Sequence, residues 1–220
     1  MHGSSENRMD EFSGNLISIR SGDTSFHIHE GLIKESATLL HSLWRKKETN
    51  GDTYSFSIPK EYSDAIQFYV NWIYRRTIPC VDSEQQMRNE WAILAKAYTV
   101  GKRFGDIDFQ NAIINHVIER AKQRFNGNQI LPNAETIQFT YEHAKECSKF
   151  KVLLVDLYAS RAIRGYFCKT ASSKYPKLFL IDVLSAVADM QHTGRASPTE
   201  GRTMDTCIRF HQHPQGNKCC

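Results

Sequence analysis

The fold is decided first by the stretch LISIRSGDTSFHIH, residues 16–29. Apolar and polar residues alternate on both sides of Ser21-Gly22-Asp23, and these three residue types are typical of tight turns. Alternation is the pattern of a half-buried β-strand, because successive side chains point to opposite faces. The sequence therefore predicts a β-hairpin, with Phe26 and Ile28 on one face of its second strand.

The residues after the hairpin predict two short helices and then a third strand. A group of apolar residues recurs at helical spacing, with an interruption near Ser36, a residue well suited to cap a helix. The members of this group are Leu32, Ile33, Leu39, Leu40, Leu43 and Trp44. Farther along, Tyr54, Phe56 and Ile58 alternate with serines, which indicates a strand that ends at Pro59.

Helices dominate the next part of the chain. The residues from Tyr62 to Ile73 are apolar every three or four positions, as in a helix that buries one face. A short extended piece is expected at Ile78–Val81, before a helix with the core-facing residues Met87, Trp91, Leu94 and Tyr98. Asp106 or Asp108 is expected to begin the following helix.

The second half of the chain predicts an all-helical extension. The loop Asn126–Asn133 is rich in Asn and Gly and is the best candidate for a domain boundary. Three helical patterns follow it: Ala134–Cys147, Phe150–Cys168 and Tyr175–Met190. We expect a disordered N-terminus at 1–15, a domain at 16–125, a helical extension at 134–190, and a polar tail at 191–220 without periodicity.

Three segments in this order resemble BTB/POZ domains, most of all the fungal group of small BTB proteins. They are Phe26–Ser36, Phe68–Tyr74 and Trp91–Phe104, and the resemblance covers about residues 14–125. It implies an α+β fold in which a small three-stranded sheet with a short edge strand is packed by about five helices. It also implies a scaffold that binds protein partners, including itself, and has no active site. Function in such a fold is carried by its surfaces.

Two departures from the family pattern limit what the resemblance implies. Members that form swapped dimers carry an extra helix before the hairpin, whereas residues 1–15 have no helical pattern. Members that recruit cullin ubiquitin ligases commonly have an apolar residue two positions before an acid in the loop before the third strand. The corresponding loop Arg45–Asp52 has no such pair, so a role as a ubiquitin-ligase substrate adaptor stays an alternative without a supporting motif.

Composition and charge favour a folded intracellular protein, nuclear or cytoplasmic. The net charge is +4, from 28 basic and 24 acidic residues that are interleaved along the chain, so nucleic-acid binding is not indicated. Neither a secretory signal nor an apolar run of membrane-spanning length is present. A phosphate-binding glycine loop, paired catalytic acids and a nucleophile with its base are also missing, so we expect no enzyme activity and no small-molecule substrate. His27 and His29 are expected to be structural.

The C-terminal tail carries the only candidate for bound chemistry. Cys207, His211, His213 and Cys219 have thiol and imidazole side chains, which are the ligands that zinc prefers in tetrahedral sites. Their spacing, C-x3-H-x-H-x5-C, is not that of a standard zinc finger. A structural zinc site and an unbound or disulfide-prone tail are therefore both open, and the metal site would make a transcription-linked regulator the alternative function. The terminal Cys219-Cys220 pair is also found in prenylated GTPases, but lipidation is not expected without a phosphate-binding loop.

Overall fold

A computed structural model describes residues 15–33, 37–42, 55–80, 84–125, 127–144, 148–161, 174–194, 197–200 and 203–213. The described chain is α+β, as the sequence predicts. It divides into two compact units. The first contains the described residues up to Cys80 together with Lys96–Gln110, and the second contains residues 84–95 and the described residues from Asn111 onward.

The predicted hairpin and third strand form one sheet in the first unit. Strands β1 (Leu16–Ser21) and β2 (Thr24–His29) pair antiparallel, and Gly22 in the turn between them has a positive φ of 60°. Strand β3 (Ser55–Ile58) pairs in parallel with β1, which gives the strand order β2-β1-β3. The inward-facing residues of β1, β2 and β3 are fully or almost fully buried: Ile17, Ile19, Ile28 and Ile58.

Helices follow the strands of the first unit as the sequence predicts. Helix α1 is Glu30–Ile33, and residues 38–42 are again helical. A short 3-10 turn leads from β3 into α2 (Ser63–Arg75), which buries Ala65, Ile66, Phe68, Tyr69 and Ile73. The two long helices α3 (Glu84–Phe104) and α4 (Ile107–Lys122) each contribute residues to both units.

Asp106 caps α4 and lies in the core of the first unit. Its Oδ1 accepts a hydrogen bond of 2.8 Å from the backbone N–H of Phe109, and its Oδ2 accepts one of 3.3 Å from Tyr69 Oη. The Tyr69 ring packs against Phe104 and Phe109, with 5.0 Å between ring centroids in both pairs. Gly105, with a φ of 74°, makes the tight connection before the cap. Of the two aspartates proposed from the sequence, Asp106 is therefore the one that begins the helix.

The second unit is built mainly from helices. After the two-stranded pair β4 (Arg124–Phe125) and β5 (Asn128–Gln129) come α5 (Ala134–His143), α6 (Lys149–Ala159), α7 (Lys177–Thr193) and α8 (Thr203–Phe210). Helix α6 contacts α5, α7 and α8 and buries nearly all of its length. This helix is therefore the centre of the unit.

Aromatic rings and one polar contact join α5, α6 and α7. Phe179 of α7 is fully buried, and its ring centroid lies 5.0 Å from Tyr158 and 5.7 Å from Tyr141. Tyr141 Oη donates a 2.6 Å hydrogen bond to Asp182 Oδ2, while Lys151 Nζ lies 4.1 Å from the centre of the Tyr141 ring. Burial raises the pKa of the Tyr141 hydroxyl, and the bond to Asp182 raises it further. The phenol is therefore the donor at neutral pH.

Some sequence predictions differ from the structure. Ile78–Cys80 form no strand, so the described residues of that piece supply no short edge strand. The tail, expected to lack periodicity, contains α8. Ile130 and Leu131, in the predicted boundary loop, are buried inside the second unit.

Other predictions fall outside the described residues. These concern residues 1–14, the cap at Ser36, the loop at 45–52, and the terminal cysteines Cys219 and Cys220. The two cysteines among the described residues, Cys80 and Cys207, are unbridged thiols. Among the described helices, none has both the length and the apolar character to span a membrane.

Candidate metal centre

Three of the four residues predicted to bind metal lie together at the end of α8. Cys207 is in the last turn of the helix, and the backbone N–H of His211 donates to the Cys207 carbonyl oxygen at 3.1 Å, which continues the helical turn. Residues four apart in a helix lie on the same face. His213 follows in a non-helical segment. The side chains of all three residues can therefore meet on one side of the chain.

The potential ligand atoms of these residues are close to one another. One atom each from Cys207, His211 and His213 lie within 4.8 Å of one another, and Cys207 Sγ is 3.3 Å from His213 Nε2. Cys207 and His211 are buried, with 4% and 9% of their surface exposed. We call these three residues the Cys/His cluster.

Two asparagines of α4 hold the segment that carries the histidines. Asn111 makes two hydrogen bonds with the backbone of Gln212: its Nδ2 donates to the carbonyl oxygen at 2.8 Å, and its Oδ1 accepts from the N–H at 2.9 Å. Asn115 Oδ1 accepts a 2.8 Å hydrogen bond from His211 Nε2. The residue between the histidines and one of the rings are thus fixed to α4.

Charged side chains of α6 hold α8 itself. Arg209 donates two hydrogen bonds to the carboxylate of Asp156, which is almost completely buried. Lys149 Nζ donates to the carbonyl oxygen of Arg209 at 2.8 Å, and a cation at the C-terminal end of a helix is also favourable for the helix dipole. Both contacts stabilise the position of α8 on α6.

The environment of the Cys/His cluster favours a neutral imidazole at His211. Burial lowers the pKa of His211, and the neighbouring His213 and Lys149 lower it further. The neutral form is the one that binds a metal ion. The His211 imidazole is therefore available to a metal ion in its neutral form.

The structure adds residues to the candidate site that the sequence analysis did not find. Cys219, the fourth predicted ligand, lies outside the described residues. Asn111 and Asn115, by contrast, are far from the tail in sequence and belong to no motif. Only the tertiary packing of α8 brings them to the histidines, so no local sequence signal indicated them.

A second surface feature lies on α7. Phe179, Val183 and Ala186 are its buried residues, and the helix contacts α6. Three large apolar residues on the other side are exposed: Leu178 by 63%, Ile181 by 59% and Leu184 by 71%. The sequence pattern of Tyr175–Met190 predicts an apolar stripe that includes Leu184, whereas the structure places Leu184 in solvent. We call Leu178, Ile181 and Leu184 the α7 apolar face.

Of the two hairpin histidines, His27 is exposed and His29 lies in a structural environment. His29 Nδ1 lies 2.7 Å from Tyr74 Oη, and the His29 backbone N–H donates to the same oxygen at 3.2 Å. This contact ties the end of β2 to α2. Its geometry agrees with the interpretation of His29 as a hydrogen-bonding residue between a strand and a helix.

Comparisons with known proteins found no matching family model, no matching curated protein and no matching solved structure.

Proposed function

We propose that this chain is a non-catalytic protein–protein interaction module, similar to BTB/POZ domains, that associates with a second copy of itself through the α7 apolar face. The observation that carries the proposal is the exposure of Leu178, Ile181 and Leu184 on one helix. Contiguous exposed apolar side chains on a folded domain mark interaction surfaces more often than isolated ones do.

The order of elements from β1 to α4 supports the comparison with BTB/POZ domains. A hairpin, short helical segments, a third strand, a helix and a pair of long helices occur in the order expected from the resemblance. The third strand joins the hairpin in one small sheet. A scaffold of this kind acts through its exposed surfaces.

The α7 apolar face has the geometry of a helix that packs against another helix. Leu178, Ile181 and Leu184 follow one another at intervals of three residues, so they form a stripe along one side of α7. Ser185 and Ala188, which are also exposed, add small side chains beside the stripe. A neighbouring helix can therefore approach closely.

Charge favours a second copy of the chain as the occupant. Lys177 is exposed at the start of α7 and Asp189 is exposed near its end, and the charged residue between them, Asp182, is partly buried and accepts the hydrogen bond from Tyr141. In an antiparallel, two-fold arrangement, Lys177 of one copy lies at the same height along the helix pair as Asp189 of the other. The opposite charges attract there, and the apolar face of each copy is buried against that of the other.

The Leu184→Glu substitution is expected to weaken self-association by about 100-fold or more. It places a carboxylate in the centre of the face, and two-fold symmetry introduces the charge twice. Sedimentation equilibrium of the full chain over a range of concentrations measures the effect. Leu16→Glu, at an exposed leucine on β1, is the matched control and should leave the mass distribution unchanged. A chain that is monomeric at all concentrations, or equal effects of the two substitutions, contradicts the proposal.

Charge reversal tests the antiparallel arrangement. Lys177→Glu and Asp189→Lys should each weaken self-association about 3- to 10-fold. Each places like charges near one another, and the repulsion of like charges at an interface weakens association. The double variant should recover most of the loss at low ionic strength. If the double variant is weaker than either single variant, Lys177 and Asp189 do not meet across a two-fold axis.

A further inference from the structure

We propose that the Cys/His cluster binds a zinc ion and that the ion fixes the end of α8 and the following residues in the conformation that packs on α4 and α6. This inference is independent of self-association through α7. It rests on the cluster of Cys207, His211 and His213, on the burial of Cys207 and His211, and on the contacts that hold the cluster.

The ligand atoms identify the class of metal. Two imidazole nitrogens and one thiolate sulfur form a set of borderline and soft ligands, which zinc takes in preference to magnesium or calcium. Hard divalent cations instead require several oxygen ligands. Within the described residues, the cluster contributes only nitrogen and sulfur atoms.

The distances fit a tetrahedral ion. Bond lengths of about 2.3 Å to sulfur and 2.0–2.1 Å to nitrogen place two tetrahedral ligands roughly 3.5 Å apart. Cys207 Sγ and His213 Nε2 are 3.3 Å apart, and the three ligand atoms lie within 4.8 Å. Small side-chain rotations therefore bring His211 into the same coordination sphere.

The protein holds the cluster in place with contacts that need no metal. Asn111 binds both backbone groups of Gln212, so the positions of the two flanking histidines are restricted. A metal-binding histidine usually donates its other ring N–H to an oxygen acceptor, which fixes the ring. Asn115 Oδ1, 2.8 Å from His211 Nε2, is such an acceptor.

A zinc ion at this place would join the end of α8 to the segment that follows it. Asn111 and Asn115 hold that segment to α4, and the contact of Arg209 with Asp156 holds α8 to α6. Binding that requires the folded arrangement stabilises it, since the unfolded chain does not present the ligands together. The metal therefore contributes to the stability of the tail more than to chemistry.

A Cys–His pair also occurs in enzymes with a cysteine nucleophile, so that alternative has to be distinguished. Cys207 is 4% exposed, which restricts the access of a substrate to its sulfur. A second imidazole, that of His211, also lies within the cluster. Both features favour a bound ion.

The decisive experiment is titration of the full, chelator-treated chain with Zn²⁺ and with Co²⁺ under reducing conditions. We expect one equivalent of zinc by elemental analysis, together with the visible bands of four-coordinate cobalt and a near-ultraviolet thiolate-to-cobalt band. Cys207→Ser should remove or reduce the thiolate band, and His211→Ala and His213→Ala should weaken metal binding at least 100-fold. Cys80→Ser and His192→Ala, at exposed positions, are matched controls that should bind as the original chain does.

Two results would overturn the proposal. One is that the original chain binds the metal no more tightly than the Cys207→Ser variant does. The other is rapid alkylation of Cys207 by iodoacetamide at neutral pH that added Zn²⁺ does not slow, which indicates a reactive thiol instead of a ligand. Circular dichroism of each variant shows whether it is folded. The cobalt spectrum of the Cys80→Ser control shows whether loss of any one cysteine changes the thiolate band.

Asn115→Ala tests the role of the contact to His211. As a positioning residue it should lower zinc affinity by roughly 10- to 100-fold without changing the number of ions bound. Competition with a chromogenic chelator measures the affinity. Asn115→Asp, which keeps an oxygen acceptor, should retain most of the affinity of the original chain. An affinity that Asn115→Ala leaves unchanged contradicts the proposed role of Asn115.

Discussion

Replacing Glu90 with alanine is expected to lower the free energy of unfolding by about 3–5 kcal/mol. Glu90 is 2% exposed, and its carboxylate accepts hydrogen bonds from Arg120 Nε at 2.7 Å and His116 Nε2 at 2.9 Å. The Arg120 side chain is only 5% exposed. Removal of the carboxylate leaves a buried guanidinium without its negative partner, and this is the source of the large cost.

Urea denaturation of the original chain and the variant, followed by circular dichroism, measures this effect. Glu119→Ala is the matched control, because Glu119 is on the same helix as Arg120 and forms an exposed ion pair with Lys122 at 2.5 Å. An exposed pair contributes about 1 kcal/mol or less. If Glu90→Ala costs no more than Glu119→Ala, the buried ion pair does not stabilise the second unit as described.

Asp106→Asn is expected to stabilise the protein at pH 7 by about 2–3 kcal/mol and to have almost no effect at pH 4. Burial raises the pKa of Asp106 from 3.8 to about 6, with a smaller contribution in the same direction from Asp108. Between these two pH values the unfolded chain loses the proton while the folded chain keeps it. The stability contributed by the protonated group is therefore lost as pH rises from about 4 to about 6, and the loss is complete above that range.

Asparagine suits this position because it is as good a helix cap as aspartate, so the hydrogen bond to Phe109 can remain. The measurement is the difference in unfolding free energy between variant and original chain at a series of pH values. Asp108→Asn, at an exposed neighbour, is the control and should give a much flatter difference curve. A curve for Asp106→Asn that does not rise between pH 4 and pH 6 shows that the carboxyl is not destabilised by burial.

Sequence alone predicted the elements whose local pattern agrees with their burial. The alternation in residues 16–29 and in Tyr54–Ile58 predicted three strands, and the strands are present. The helix from Ser63 was predicted because its apolar residues face one side. Helix α8 was not predicted, because it is only eight residues long and its position depends on the Arg209–Asp156 ion pair and the hydrogen bond from Lys149, which no local sequence pattern indicates.

The candidate site was predicted in part for a similar reason. Cys207, His211 and His213 are close in sequence, so residue type and spacing were sufficient to propose them. The asparagines that hold them are on another helix, and asparagine is common on helix surfaces. The α7 apolar face was not recognised, because a leucine at helical spacing is expected in the core unless the structure shows which side is covered.

The parallel pairing of β1 with β3 has a consequence for the order of folding. Adjacent strands β1 and β2 need only the turn at Gly22 to meet, whereas β3 joins β1 from far along the chain. Closing the longer loop costs more chain entropy before any contact compensates for it. We therefore expect the hairpin to form early and the arrival of the third strand to limit the refolding rate.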